Sequence, residues 1–181
     1  MAMNGVRLKT NRHNKPLEPV TGWYASEKFN GIRGRWDGVH MRGKSGKIFA
    51  VPGWFKRQLP NIPLDGELYA GTGTRPSLSG LARNPNSVWW DKVCYMVFDI
   101  PVPRTVFQQR VLLLANRFKN RRRGVIVPVQ HTRLRSIRHA RAMFSRVLRR
   151  GGEGLVLRHP MSDYKPGRHN TFKKFKPYGI A

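Results

Sequence analysis

Apolar residues recur along the chain with two different periods, and the switches between them mark out the elements. Ile32 to Met41 alternates around Asp37-Gly38, a pair that favours tight turns, and reads as a β-hairpin. Lys47 to Ala50 and Leu64 to Ala70 follow as strands. Val93 to Ile100 (VCYMVFDI) is a continuous apolar run of strand length ended by Pro101 and Pro103, which predicts a buried strand. Then the period changes. Phe107, Val111, Leu114 and Phe118 recur at helical spacing, so Thr105 to Lys119 predicts a helix with Thr105 as its N-cap. Val125 to Val129 returns to strand. A second helix is predicted over Ser136 to Arg149, with Ile137, Ala140, Phe144 and Leu148 on one face, arginines around the rest, and Gly151-Gly152 as its stop. Leu155 to Arg158 and Thr171 to Lys176 complete the set as strands. Strand clusters interrupted by two helices indicate an α+β fold.

At 181 residues the chain supports one compact domain with a hydrophobic core, and a single domain over residues 1–181 is expected. The lone cysteine, Cys94, excludes an internal disulfide and a cysteine-based zinc site. No apolar run approaches the ~20 residues of a membrane span. Met1 to Pro19 is polar and basic, unlike a secretory signal, so a cytosolic protein is expected. Charge adds the partner. Lys and Arg number 35 against 9 Asp and Glu, a formal net charge of +26. Such a field repels itself until a polyanion neutralises it, and nucleic acid is the obvious one. A ribosomal or packaging protein, or a binder of anionic membranes, satisfies the same charge, which therefore names no reaction.

The scarce acids say more. Asp65, Glu67, Asp99 and Glu153 sit inside apolar or glycine-rich, strand-like segments, away from turns and helix faces, which suggests a metal or ribose site. Lys28 lies between an apolar segment and the turn Asn30-Gly31, where a pocket can hold it, and a neutral amine there attacks electrophiles; a surface lysine in a glycine turn has the same sequence. Asp65-Gly66-Glu67 can bind a ribose hydroxyl or a divalent ion, or can be a solvated turn. Phe98, before Asp99 at a strand end, can stack on a purine or belong to the core. Glu153 between Gly152 and Gly154, just ahead of a buried strand, suits coordination through oxygen. Lys174 and Lys176 alternate with aromatics, so on a strand both point to one face and suit a triphosphate, or a basic DNA-binding tail.

Taken in order, Lys28-Phe29-Asn30-Gly31-Ile32-Arg33, Asp65-Gly66-Glu67, Phe98-Asp99, Glu153-Gly154-Leu155-Val156 and Lys174-Phe175-Lys176 resemble the five core motifs of the covalent nucleotidyltransferases. That superfamily includes DNA ligases, RNA ligases and mRNA capping enzymes, and the resemblance runs from about Trp23 to Pro177. Gly22 to Lys28, Arg35 to Gly38, Val51 to Phe55, Tyr95 to Asp99 and Tyr164 to Arg168 are further similar to the minimal bacterial ATP-dependent DNA ligases. The resemblance implies an adenylation domain, ATP-grasp-like, with antiparallel sheets flanked by helices. It implies that Lys28 attacks the α-phosphate of ATP, that Arg33 contacts the nucleotide or the nick 5′-phosphate, and that Glu67 holds the ribose while Phe98 stacks on adenine. Glu153, with help from Asp99, would bind Mg²⁺ or Mn²⁺, and Lys174 and Lys176 would neutralise the α-phosphate. The implied partners are ATP and nicked duplex DNA, met by a monomer in a bacterial cytoplasm or a phage-infected host. The DNA would be held by Arg42, Lys44, Arg121, Arg122, Arg123 and Arg158. An RNA ligase of the same superfamily and a ligase-like DNA-binding module with impaired catalysis are the alternatives.

There are two departures from the pattern. Asn30 stands where the family usually has Asp, removing a negative charge beside Lys28. The sequence ends four residues after Pro177, so the OB-fold domain that normally follows is expected to be absent. An electrostatic grip by the arginines from Arg117 to Arg150 would substitute for its clamp; generic basicity in a nucleic-acid-rich setting accounts for the same charge.

Overall fold

The computed structural model describes residues 20–120, 124–165, 167 and 169–177. In chain order the elements are β1 (Tyr24–Glu27), β2 (Ile32–Trp36), β3 (Met41–Arg42), α1 (Gly53–Lys56), β4 (Leu64–Tyr69), β5 (Cys94–Asp99), α2 (Phe107–Phe118), β6 (Ile126–Pro128), β7 (Thr132–Arg133), α3 (Ile137–Arg149), β8 (Leu155–Arg158) and β9 (Phe172–Phe175). This is an α+β fold in which every strand pair is antiparallel except β5 with β6, which the crossover through α2 makes parallel. The chain forms two compact units.

Among the described residues the first unit comprises Val20–Phe29, Val106–Gln108 and those from Gln130 to Pro177. Its sheet has the order β7-β1-β8-β9. Alternation sends Ala25, Leu155, Leu157 and Phe175 to one face, where they form a core with Ala140, Phe144 and Val147 of α3. The opposite face carries Tyr24, Ser26, Val156, Arg158, Phe172 and Lys174. Helix α3 starts as its sequence predicts, the Ser136 hydroxyl accepting from the His139 amide at 3.1 Å. It also stops as predicted. Gly151 adopts φ 77°, its amide reaches the Leu148 carbonyl and the Gly152 amide reaches that of Val147.

The second unit comprises Asn30–Thr105 and Gln109–Val129, with sheet order β3-β2-β4-β5-β6. Trp36, Met41, Leu64, Leu68, Tyr95, Val97 and Ile126 are buried in one core. The other face aligns Arg33 with Glu67 and Met96, and Arg35 with Asp65 and Asp99. Between them the register slips: Asp65 faces Asp99 while Gly66 faces Val97, which leaves Phe98 as the extra residue of a β-bulge. The Asp37-Gly38 turn forms as predicted, Asp37 Oδ1 accepting from the Val39 amide at 2.9 Å while Gly38 takes φ 105°.

Three expectations are corrected. Lys47 to Ala50 does not form a strand; β3 is only two residues long, and a single bridge joins Arg42 to Ile48 before the chain turns away toward Pro52. Thr105 does not cap α2. Its hydroxyl donates to the Pro103 carbonyl instead, and the first amides of the helix, on Phe107 and Gln108, are satisfied by the carbonyls of Ser162 and Pro160. Tyr24 to Glu27, read only as an apolar segment, is the strand β1.

Candidate active site

The first unit gathers its charge at the end of β1. Past Glu27 the backbone stays in the sheet, the Lys28 amide donating to the Gly154 carbonyl at 2.9 Å. Two glycines around Glu153 allow close packing. A Cβ on Gly154, whose φ is 142°, would lie 2.0 Å from the Phe175 carbonyl oxygen, and one on Gly152 would lie 2.5 Å from the Val147 side chain. Gly152 is also the residue that ends the helix stop, so the device that terminates α3 delivers Glu153 to the site. There its two carboxylate oxygens are claimed by two lysines: Lys28 Nζ on Oε2 and Lys176 Nζ on Oε1. The Lys28 and Glu153 side chains are mostly enclosed, at 17% and 21% exposure, whereas Lys176 is 49% exposed. Burial by itself would raise the Glu153 carboxyl. Hydrogen bonds from Lys176 and Lys28, backed by their charges, outweigh it and hold the group below the ordinary glutamate range. Lys174 shares a face of β9 with Phe172, its ammonium 5.7 Å from that ring.

In the second unit the Arg33 guanidinium grips Asp65, Nε on Oδ1 at 3.0 Å and Nη2 on Oδ2 at 2.5 Å, and lies 5.8 Å from the Phe98 ring. Asp65 is fully buried while 44% of the Arg33 side chain is exposed. Glu67 accepts from the Gly31 amide at 3.1 Å. Gly31 and Gly66 both serve close approach: a Cβ would sit 2.1 Å from the Leu68 carbonyl oxygen at the first and 2.6 Å from that of Met96 at the second. Lys28-x-x-Gly31 and Asp65-Gly66-Glu67 therefore have steric reasons for their glycines.

Asp99 is placed differently from its partners in the sequence pattern. Arg110, on α2, binds both of its oxygens (2.8 and 3.3 Å) and also donates to the Thr105 carbonyl, with Arg110 at 1% and Asp99 at 0% side-chain exposure. Sequence reasoning missed Arg110. The available signal was its register, three residues after Phe107 and four before Leu114 on the inward side of α2.

Of the residues expected to hold DNA, Arg42 pairs with Asp37 at 3.3 Å and Lys44 is exposed beside it in the following turn. Arg158 has its guanidinium between the rings of Phe107 (4.9 Å) and Phe172 (5.2 Å). Arg121, Arg122 and Arg123 lie outside the described residues. Asn30 is exposed.

Residues 38–176 match the family model described as ATP dependent DNA ligase domain; the match begins after Lys28. The DNA ligase of Haemophilus influenzae is 26% identical over 164 residues, which is 91% of this chain and 61% of that protein. A Lig E DNA ligase, solved in a study of DNA binding with a minimal scaffold, is 30% identical with a TM-score of 0.79, over 88% of this chain and 64% of its own. Chlorella virus DNA ligase-adenylate, at 22% identity, shares the fold with a TM-score of 0.74 over 86% of this chain and 61% of its own. The chain thus spans about three fifths of the length of these relatives. The five motifs, the two-sheet fold that positions them and a family match over most of the sequence agree: this chain belongs to the ATP-dependent DNA ligase domain family.

Proposed function

We propose that the chain is the adenylyl-transferring part of an ATP-dependent DNA ligase that seals nicks in duplex DNA, working in the cytoplasm as a monomer. The observation that carries this reading is the enclosed Lys28–Glu153–Lys176 cluster, which holds a potential nucleophile beside a carboxylate and a second cation. In this reading Lys28 leaves Glu153, its ammonium gives up one proton to solvent, and the neutral amine forms a bond to the α-phosphorus of ATP. The bond to pyrophosphate breaks, pyrophosphate leaves with the electron pair, and the amine proton passes to solvent. Lys176 and Lys174 balance the charge that builds on the α-phosphate oxygens. The AMP group then passes from Lys28 to the 5′-phosphate of a nick, and the 3′-hydroxyl displaces it. Positioning and charge neutralisation supply most of the catalysis in such transfers.

The donor set fits a divalent ion that takes one protein carboxylate and completes its shell with phosphates and water. Among the described residues no cluster of three or more His, Cys, Asp or Glu side chains exists, so Glu153 would be the principal protein ligand. A bound ion would neutralise phosphate charge. Asp99, held on both oxygens by Arg110, is proposed to anchor α2 to β5. Glu67 and Phe98 are proposed to hold the ribose and adenine of the nucleotide, and Arg33 to meet a phosphate.

Incubation with α-labelled ATP and Mg²⁺, for wild type and Lys28→Ala, followed by denaturing electrophoresis, tests the reading. Covalent label on wild type alone is expected. Its absence from wild type, together with failure to seal a pre-adenylated nick, would overturn it.

A further inference from the structure

From Ile100 to Gly152 the sequence contains no Asp or Glu at all, and α3 lies inside this acid-free stretch. Its inner face, Ala140, Phe144 and Val147, is packed on the sheet of the first unit. Along its outer face Arg138, Ala142, Ser145 and Arg149 follow one another at steps of four, three and four residues, which is one line on a helix. Arg141 and Arg146 flank that line on either side, and all six residues are exposed. Two small side chains thus form the floor of a shallow track walled by four guanidinium groups. Among the described residues none of the four forms an ion pair within the protein.

The arrangement works against the helix. Like charges three residues apart repel, as Arg138 does Arg141 and Arg146 does Arg149. Cations in the first turn also oppose the helix dipole, and α3 has no acid there. An external polyanion relieves both costs. The line from Arg138 to Arg149 covers roughly 16 Å, the axial span of about five successive phosphates on one DNA strand. The small floor lets a backbone approach closely enough for guanidinium groups to fork onto phosphate oxygens.

The track is separate from the catalytic cluster. Helix α3 covers the Ala25, Leu155, Leu157 and Phe175 face of the sheet, whereas Lys174 belongs to the opposite face, and Lys176 by alternation with it. The two come closest at the C-terminal end of α3, where Arg149 stands four residues before Glu153. We propose that the outer face of α3 is a second DNA contact that grips the sugar–phosphate backbone of duplex DNA without sensing a nick. The choice of duplex DNA as occupant rests on the ligase reading above.

The test uses the full chain carrying R138Q, R141Q, R146Q and R149Q together, with affinity for a short intact duplex measured across a salt series. Wild type should lose affinity steeply with salt. The variant should bind the duplex at least tenfold more weakly at moderate salt, with its log-log slope shallower by about 3 to 4, near 0.9 per lost phosphate contact. Lys28 labelling by ATP without DNA should be unchanged, which also reports that the variant is folded. Ser145→Glu, a single exposed change, should weaken duplex binding in the same direction and covers the case in which the fourfold variant fails to fold. An unchanged slope and affinity would overturn the proposal and make the track a solvated face. Loss of RNA binding with duplex binding intact would overturn the choice of occupant. Failure of wild type to label, with the duplex effect present, would instead count against the ligase reading and leave the track standing.

Discussion

The two units hold their scarce carboxylates in opposite ways. In the first, Glu153 is shared by Lys28 and Lys176, two flexible stems ending in compact ammonium groups, and a fifth of the carboxylate side chain remains open. In the second, Asp65 and Asp99 face each other across β4 and β5, both fully buried, and each is gripped at both oxygens by one planar arginine. Two carboxylates directly opposite would repel without those forks. A forked guanidinium fixes geometry, while a lysine is a point charge that can let go. The difference separates a cluster built to change partners from one built to stay.

The largest effect expected from this contrast is on stability. Arg110→Ala removes the guanidinium that binds both oxygens of the buried Asp99, and should cost about 3–5 kcal/mol, read by chemical denaturation. Arg33→Ala should cost distinctly less, because its guanidinium is half open and water can replace it at Asp65. Equal losses at the two sites would break the comparison. The next effect is on rate. Lys176→Ala should slow adenylation by about 10²-fold, the scale of one lost oxyanion donor, with little change in the denaturation midpoint. A destabilisation like that of Arg110→Ala, with labelling rate intact, would place Lys176 among the structural groups. The smallest effect is on the pH profile. Glu153 titrates lower in the folded chain than in the unfolded one, so its contribution is present above the ordinary glutamate pKa of about 4.3 and is lost as pH falls through the lower folded value. Glu153→Gln should flatten that acid limb of the stability curve. An unaltered limb would show that the lysines do not hold the carboxylate as described.

Much of the candidate site was legible because each motif is short and lies in or beside a strand. Lys28, Phe98 and Glu153 stand where a β-strand begins, ends or bulges, Glu67 lies within β4, and Gly31, Gly66 and Gly154 mark close backbone approach. Convergence was harder to read. Lys28 and Glu153 are 125 residues apart and meet only because β1 pairs with β8, a partnership that rests on the apolar faces of both strands. Arg110 was invisible for a related reason. Its register with Phe107 and Leu114 turns it inward, but the partner that lets an arginine stay buried there, Asp99, lies on a different element. Thr105 illustrates the converse: it has the chemistry of a cap, but carbonyls from residues 160 and 162 reached the helix amides first.

The central claim concerns one atom, Lys28 Nζ. Its direct measurement is mass spectrometry of proteolytic peptides after incubation with ATP and Mg²⁺, mapping any added AMP. The expected result is AMP on the peptide carrying Lys28 and on no other lysine, with the adduct lost in Lys28→Arg. AMP on Lys174 or Lys176 instead, or an unmodified Lys28 peptide under conditions where ATP is consumed, would contradict the assignment of Lys28 as nucleophile.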